Sequence, residues 1–140
     1  MKRFFICFLI LVACKEESKT SEKPKWDWKA IEVTASAYNS VPWQTKSINP
    51  DIAAWGDTLK PGMNAIAVSR DLLKMGLAHN TMVKIDTFPD TFYVKDKMNQ
   101  KWKNRIDIYM GLDIKKARQW GKKKLQICYA IPIDTIFTSK

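Results

Sequence analysis

The feature that most constrains this chain is a set of short segments with a period of two, spread over nearly its whole length. Arg105-Ile106-Asp107-Ile108-Tyr109-Met110 alternates strictly. An extended backbone therefore sends Ile106, Ile108 and Met110 to one face and Arg105, Asp107 and Tyr109 to the other, where Asp107 meets solvent or a site. Ile31 to Tyr38 alternates in the same way. Ala65-Ile66-Ala67-Val68, Met82-Val83-Lys84-Ile85, Thr91-Phe92-Tyr93-Val94 and Leu125 to Ile131 are apolar runs of strand length, the last ended by Pro132. Only Asp113 to Trp120 sets apolar residues (Ile114, Ala117, Trp120) at helical spacing, with Gly121 just past its end. Asp71 to Gly76 reads as a single helical turn with Asp71 as its cap. Around six short strands, one real helix in the C-terminal half and no internal repeat predict a mainly β barrel rather than βαβ units.

The 140 residues suit one compact domain plus a tail. One histidine and three scattered cysteines do not supply the ligands of a structural zinc site or a disulfide framework, and the five glycines form no phosphate-cradling loop. No metal and no cofactor is expected. At the N-terminus, Lys2 and Arg3 precede an unbroken apolar run from Phe4 to Ala13. A bilayer span needs about 20 apolar residues, so this run has the size of a secretory leader, residues 1–13. Leu11-Val12-Ala13-Cys14 resembles the lipobox of bacterial lipoproteins, which makes Cys14 the expected lipidation site. Residues 14–30 then form a polar tether, 31–133 the folded domain and 134–140 a tail. Lys15-Glu16-Glu17 is similar to a signal that sends lipoproteins to the outer face of some bacteria. The resulting expectation is a cell-envelope protein held to a membrane, the outer membrane, by its N-terminal lipid.

Charge is unevenly spread. Residues 95–124 carry eleven Lys or Arg against three Asp, whereas residues 14–94 balance. A patch of that kind attracts polyanions. For an exported chain an anionic envelope polymer is the expected partner and nucleic acid is not. The long Pro-, Ser- and Asn-containing connection from Asn39 to Pro61 holds Trp43 and Trp55, and Trp102 lies in another loop. Flat aromatic faces in loops suit stacking on sugar rings, although anchoring a loop is their commoner use.

The order of segments resembles the three-aspartate (3D) domain, a family of six-stranded double-psi β-barrels related to membrane-bound lytic transglycosylase A. The likeness covers roughly residues 31–131. It rests on VTASAY, on GDTLKPG before IAV, on VKD, on RIDIYMG eleven residues after that aspartate, and on ARQWG before the last strand. It implies Asp96 and Asp107 as catalytic residues, with Asp96 the acid. The expected binding residues are Arg105 and Ser69, placed by the family pattern, with Trp102 as a sugar-stacking face and Lys101 and Lys103 from the basic stretch. The reaction it implies is cleavage of the MurNAc–GlcNAc bond of peptidoglycan by a monomer, the sugar's own C6 hydroxyl attacking C1. One carboxyl suffices there, because the attacking hydroxyl is already held beside the anomeric carbon.

Two departures from the family pattern stand out. Ser69 occupies the place of the first aspartate, with Asp71 two residues on. Lys97-Met98-Asn99 replaces a Thr-Gly-Gly segment and is expected to crowd the sugar groove. A Ser69–His79–Asp86 triad is disfavoured, since nothing around Ser69 resembles a nucleophile elbow. If Tyr93 to Lys97 is extended, Asp96 shares a face with Val94, away from Lys95 and Lys97. Arg105 is expected to pair with the Asp107 carboxylate. The alternative function is a non-catalytic module that holds glycan or another anionic polymer through the basic stretch.

Overall fold

A computed structural model describes residues 26–42 and 48–133. The leader, Cys14, the tether up to residue 25, Trp43 and the tail 134–140 lie outside the described residues. The elements are β1 (Trp26–Tyr38), β2 (Ala65–Val68), α1 (Arg70–Leu73), β3 (Met82–Ile85), β4 (Thr91–Lys97), β5 (Arg105–Tyr109), α2 (Ile114–Trp120) and β6 (Lys123–Pro132). The strands close into a barrel in the order β1-β5-β2-β4-β3-β6. The pairs β1/β5 and β2/β4 are parallel, and the other four are antiparallel. Exchanging β1 with β4, β2 with β5 and β3 with β6 leaves this pairing unchanged. Two interlocked three-strand halves therefore make the barrel, the strand plan of the double-psi type.

The strands form where alternation foretold them, because closure gives each one an inner face to bury. Val33, Ala35, Ile66, Val68, Val83, Ile85, Phe92, Val94, Ile106, Ile108, Ile127 and Tyr129 fill the interior. β1 differs at its start, opening at Trp26 rather than Ile31. Residues 26–30 are exposed on both faces, so no apolar rhythm marks them. Their ladder with β6, from Trp26 opposite Pro132 to Ala30 opposite Cys128, makes them strand. The short helix α1 also starts earlier than read, with Ser69 rather than Asp71 at the cap position.

The described part of the connection before β2, residues 48–64, packs against the start of β2 and the end of β5. Ala53 and Leu59 pack there with Ala65 and Tyr109, and Tyr38 and Met63 flank them as a second small core. Internal hydrogen bonds shape this loop: Leu59 N–H donates to the Asp51 carbonyl at 2.7 Å and Ala53 N–H to the Asp57 carbonyl at 2.8 Å. The chain ends of β1 and β5 are tied as well. Asn39 Nδ2 donates to the Gly111 carbonyl at 3.1 Å. Gly111 itself has φ +57° and lies so close to Pro61 that a Cβ would come within 3.2 Å of its Cα, which favours glycine there twice over.

Candidate functional site

The outer face of β5 begins with Arg105, Asp107 and Tyr109, as the alternation predicts. What faces Asp107 is decided by register. Ser36 on β1 is opposite Asp107, Asp107 is opposite Ala67 on β2, and Ala67 is opposite Asp96 on β4. One row across four strands thus reads Ser36–Asp107–Ala67–Asp96. Ala67, 5% exposed, puts only a methyl group on β2 between the two acids.

Asp96 joins that row because of a bulge. Ile66 pairs with Val94 but Ala67 pairs with Asp96, so Lys95 is an extra residue in β4. The register slip turns Asp96 to the face opposite Val94, contrary to the extended reading of the sequence. It leaves Val94 in the core, fully buried.

Each carboxyl has one oxygen committed. Asp96 Oδ1 accepts from the Ala54 and Lys97 N–H groups, both at 2.8 Å. Asp107 Oδ1 accepts from the Ser36 hydroxyl. Ser36 Oγ in turn accepts from Arg105 Nε at 3.2 Å and Nη2 at 2.8 Å. Arg105 therefore acts on Asp107 through Ser36, and among the described residues the two form no direct ion pair. Burial is the largest influence on both acids and pushes both above the usual carboxylate range. For Asp96 the two N–H donors and the Lys97 charge oppose the rise. For Asp107 the Ser36 bond and Arg105 oppose it, while the charge of Asp96 adds to it.

Aromatic side chains flank both ends of the row. Trp102, 36% exposed, lies over the Arg105 guanidinium at 4.1 Å from the ring centroid, with Lys101 Nζ at 5.0 Å. Lys103 is exposed on the same loop. On the Asp96 side, Lys97 Nζ lies 4.9 Å from the Trp55 ring centroid. Trp55 stacks on His79 with centroids 4.9 Å apart. Asp57 takes both His79 Nε2 and Lys95 Nζ, the latter at 2.9 Å. Those bonds, with the Ala54 N–H on Asp96, fasten the 53–57 turn over the row. Lys95 and His79 hold Asp57 below the usual carboxylate range, the Lys95 hydrogen bond most of all.

Two expectations change. Ser69 is fully buried, so it does not reach a ligand. Its Oγ accepts from the Arg105 N–H at 3.0 Å and its own N–H donates to the Arg105 carbonyl at 2.9 Å, which fastens the end of β2 to the start of β5. Met98 does not crowd the groove. It turns inward, 6% exposed, and its N–H donates to the Val68 carbonyl. The basic stretch is divided among elements: Lys95, Lys97, Lys101, Lys103 and Arg105 lie on β4, the loop after it and the start of β5, whereas Lys115, Lys116 and Arg118 lie on α2 and Lys122 to Lys124 lead into β6, where Lys124 is opposite Thr34, itself opposite Arg105.

Ser36 and Tyr38 are site residues that sequence reading missed. The available signal was their spacing: Ser36-x-Tyr38 lies opposite Asp107-x-Tyr109. Among the described residues no group of three or more His, Cys, Asp or Glu converges as a metal site would. A cavity of about 460 Å³ lies elsewhere, between the end of β5, the start of β4 and α2, lined by Phe88, Phe92, Met110, Asp113 and Lys116 among others.

No protein-family model and no curated protein matches this sequence. Among solved structures, the crystal structure of the apo expansin of Clavibacter michiganensis superposes with a TM-score of 0.43 at 16% identity, covering 76% of this chain and 52% of that one. This chain thus spans about half the length of that expansin.

Proposed function

We propose that this chain is a cell-envelope module that acts on glycan strands, and that it cleaves the MurNAc–GlcNAc bond of peptidoglycan by acid catalysis. The observation that carries this reading is the row Ser36–Asp107–Ala67–Asp96, which sets two half-buried, elevated carboxyls on one outer face between Trp55 and Trp102. The Cα atoms of the two acids are separated by two strand spacings of about 4.8 Å each.

The geometry favours the reverse of the roles that the family resemblance implies. Asp96 Oδ1 receives two backbone N–H donors, which suits the carboxylate form, whereas the charge of Asp96 adds to the rise of Asp107. In this reading Asp107 gives its proton to the glycosidic oxygen as the C1–O bond breaks. The sugar's C6 hydroxyl bonds to C1 and its proton returns to Asp107. Asp96 remains anionic and stabilises the positive charge that develops on the ring. Trp102, 36% exposed, offers an aromatic surface for a neighbouring sugar. A lipid at Cys14 would hold the barrel beside its polymer, which agrees with the leader.

Purified protein incubated with sacculi should release muropeptides with 1,6-anhydro ends, detected by mass spectrometry, and Asp107→Asn should release none while keeping its fold. Absence of anhydro ends with the wild-type chain refutes cleavage. A second reading, retention of an anionic polymer without cleavage, is favoured by the six basic residues of α2 and the start of β6. It requires sacculus binding that weakens as salt rises and survives Asp107→Asn.

A further inference from the structure

The acid row has one polar atom without an assigned task. Tyr38 ends β1 two residues after Ser36, so its side chain leaves the same outer face. Its ring packs against Tyr109 with centroids 5.5 Å apart. The Tyr38 hydroxyl is buried and, among the described residues, makes no hydrogen bond. Its neighbour differs, since the Tyr109 hydroxyl shares a bond with Ser40 Oγ at 2.8 Å. A buried hydroxyl without a partner lowers stability, and phenylalanine would fill the same space without that cost. The resting barrel therefore gives no reason for the oxygen to be there.

Its surroundings do. Burial first, then the charges of Asp96 on β4 and Asp107 on β5, and last Tyr109, keep this phenol protonated well above its ordinary range. The other charged groups around the row are Arg105 on β5, bound to Ser36, and Lys97 on β4, above Trp55. Among the described residues, the second oxygens of Asp96 and Asp107 have no donor from the protein. The hydroxyl is thus a permanent donor beside two acids that cannot both ionise cheaply.

We propose that Tyr38 is a positioning residue of the acid pair, its unpaired hydroxyl donating to the carboxylate formed when the second of Asp96 and Asp107 loses its proton. The phenol keeps its own proton throughout and shares it only with the new anion. Offered to the charged form alone, this bond makes the second ionisation easier. The inference rests on the reading that the pair gives up and regains a proton in catalysis, but it can be tested with no substrate present.

The test is a carbon-13 NMR titration of aspartate side-chain carboxyls in the full chain, with and without Tyr38→Phe. The two acids titrate as a pair with two apparent values. In Tyr38→Phe the higher value should rise by about half a unit to one unit, a roughly three- to tenfold smaller acid constant. The melting temperature below both values should be unchanged or higher, since no hydrogen bond of the resting site is lost. Installing 3-fluorotyrosine at position 38, a stronger donor of nearly the same shape, should move the value down. Superimposable titrations, or a fall with Tyr38→Phe, overturn the inference. If the value rises as expected but the wild-type chain makes no anhydro ends, the cleavage reading fails and the role of Tyr38 stands. If the chain cleaves and the titrations coincide, the reverse holds.

Discussion

Ser36→Ala removes the one atom that Asp107 and Arg105 share. In the native site the Ser36 hydroxyl donates to Asp107 and accepts two guanidinium N–H groups at 3.2 and 2.8 Å. Hydrogen bonds to a charged partner contribute about 1.5–3 kcal/mol, and neutral ones about 0.5–1.5 kcal/mol. Asp107 is only partly buried and Arg105 keeps its Trp102 face, which places the cost at pH 7 near the lower end, about 1.5 kcal/mol. For a barrel of roughly 100 residues that lowers the melting temperature by about 6–12 °C.

The sign with pH follows from Asp107. Its folded pKa lies above the ordinary value of 3.8, so the fold has its full stability below that value and loses some as pH climbs through the folded pKa. The Ser36 bond favours the ionised form and limits this loss. Ser36→Ala steepens it, so the difference between the two proteins should be largest at pH 7 and shrink to about 0.5–1 kcal/mol once Asp107 is protonated. Urea melts between pH 3 and pH 8 measure it. A cost of equal size at every pH, or none at pH 7, refutes the arrangement of Ser36, Asp107 and Arg105 described above.

Asp107→Asn removes an acid whose ionisation is opposed by burial and by the Asp96 charge while leaving Ser36 a carbonyl to donate to, so in thermal melts across pH the variant should gain stability relative to the native protein as pH climbs through the titration of Asp107. A difference that falls as pH climbs contradicts the elevated acid. Ile106→Ala, at a fully buried core position on the same strand, should cost about 2–5 kcal/mol in denaturant melts, and a cost below about 1 kcal/mol would mean that the interior face of β5 is not packed as described. Ala67→Leu places a bulky side chain between the two acids. It should abolish anhydro-end release in the sacculus assay while far-UV circular dichroism stays native, and full activity would mean that the ligand does not enter the row. Charge reversal at Lys122 and Lys123 should weaken salt-sensitive sacculus binding more than reversal at Lys101 and Lys103 if the polymer lies along α2, and pull-down at two ionic strengths distinguishes the faces.

Much of the barrel was legible in the residues alone. Ile106 and Ile108 had to share a face because a strand has a period of two, and a closed barrel gives that face somewhere to go. The helix at Ile114 to Trp120 was equally readable, since Asp113 caps it by accepting from the Lys116 N–H at 2.9 Å, a contact three residues long. The start of β1 was not readable. Trp26 to Ala30 are strand only through partners about a hundred positions away, and no burial pattern reports that.

The site divides along the same line. Local pattern determined that Asp107 looks outward, and the resemblance to the three-aspartate family singled out Asp96. Tertiary structure alone decided that they belong to one row, because a single extra residue at Lys95 reverses which side of β4 each following side chain takes. It also decided that Ser36, 71 positions from Asp107, is the hydroxyl that bonds it, and that Ser69 is sealed inside instead. Alternation is a local property of the chain and survives in the sequence. Register is settled by barrel closure, which balances all six strands at once and leaves no trace in any one of them.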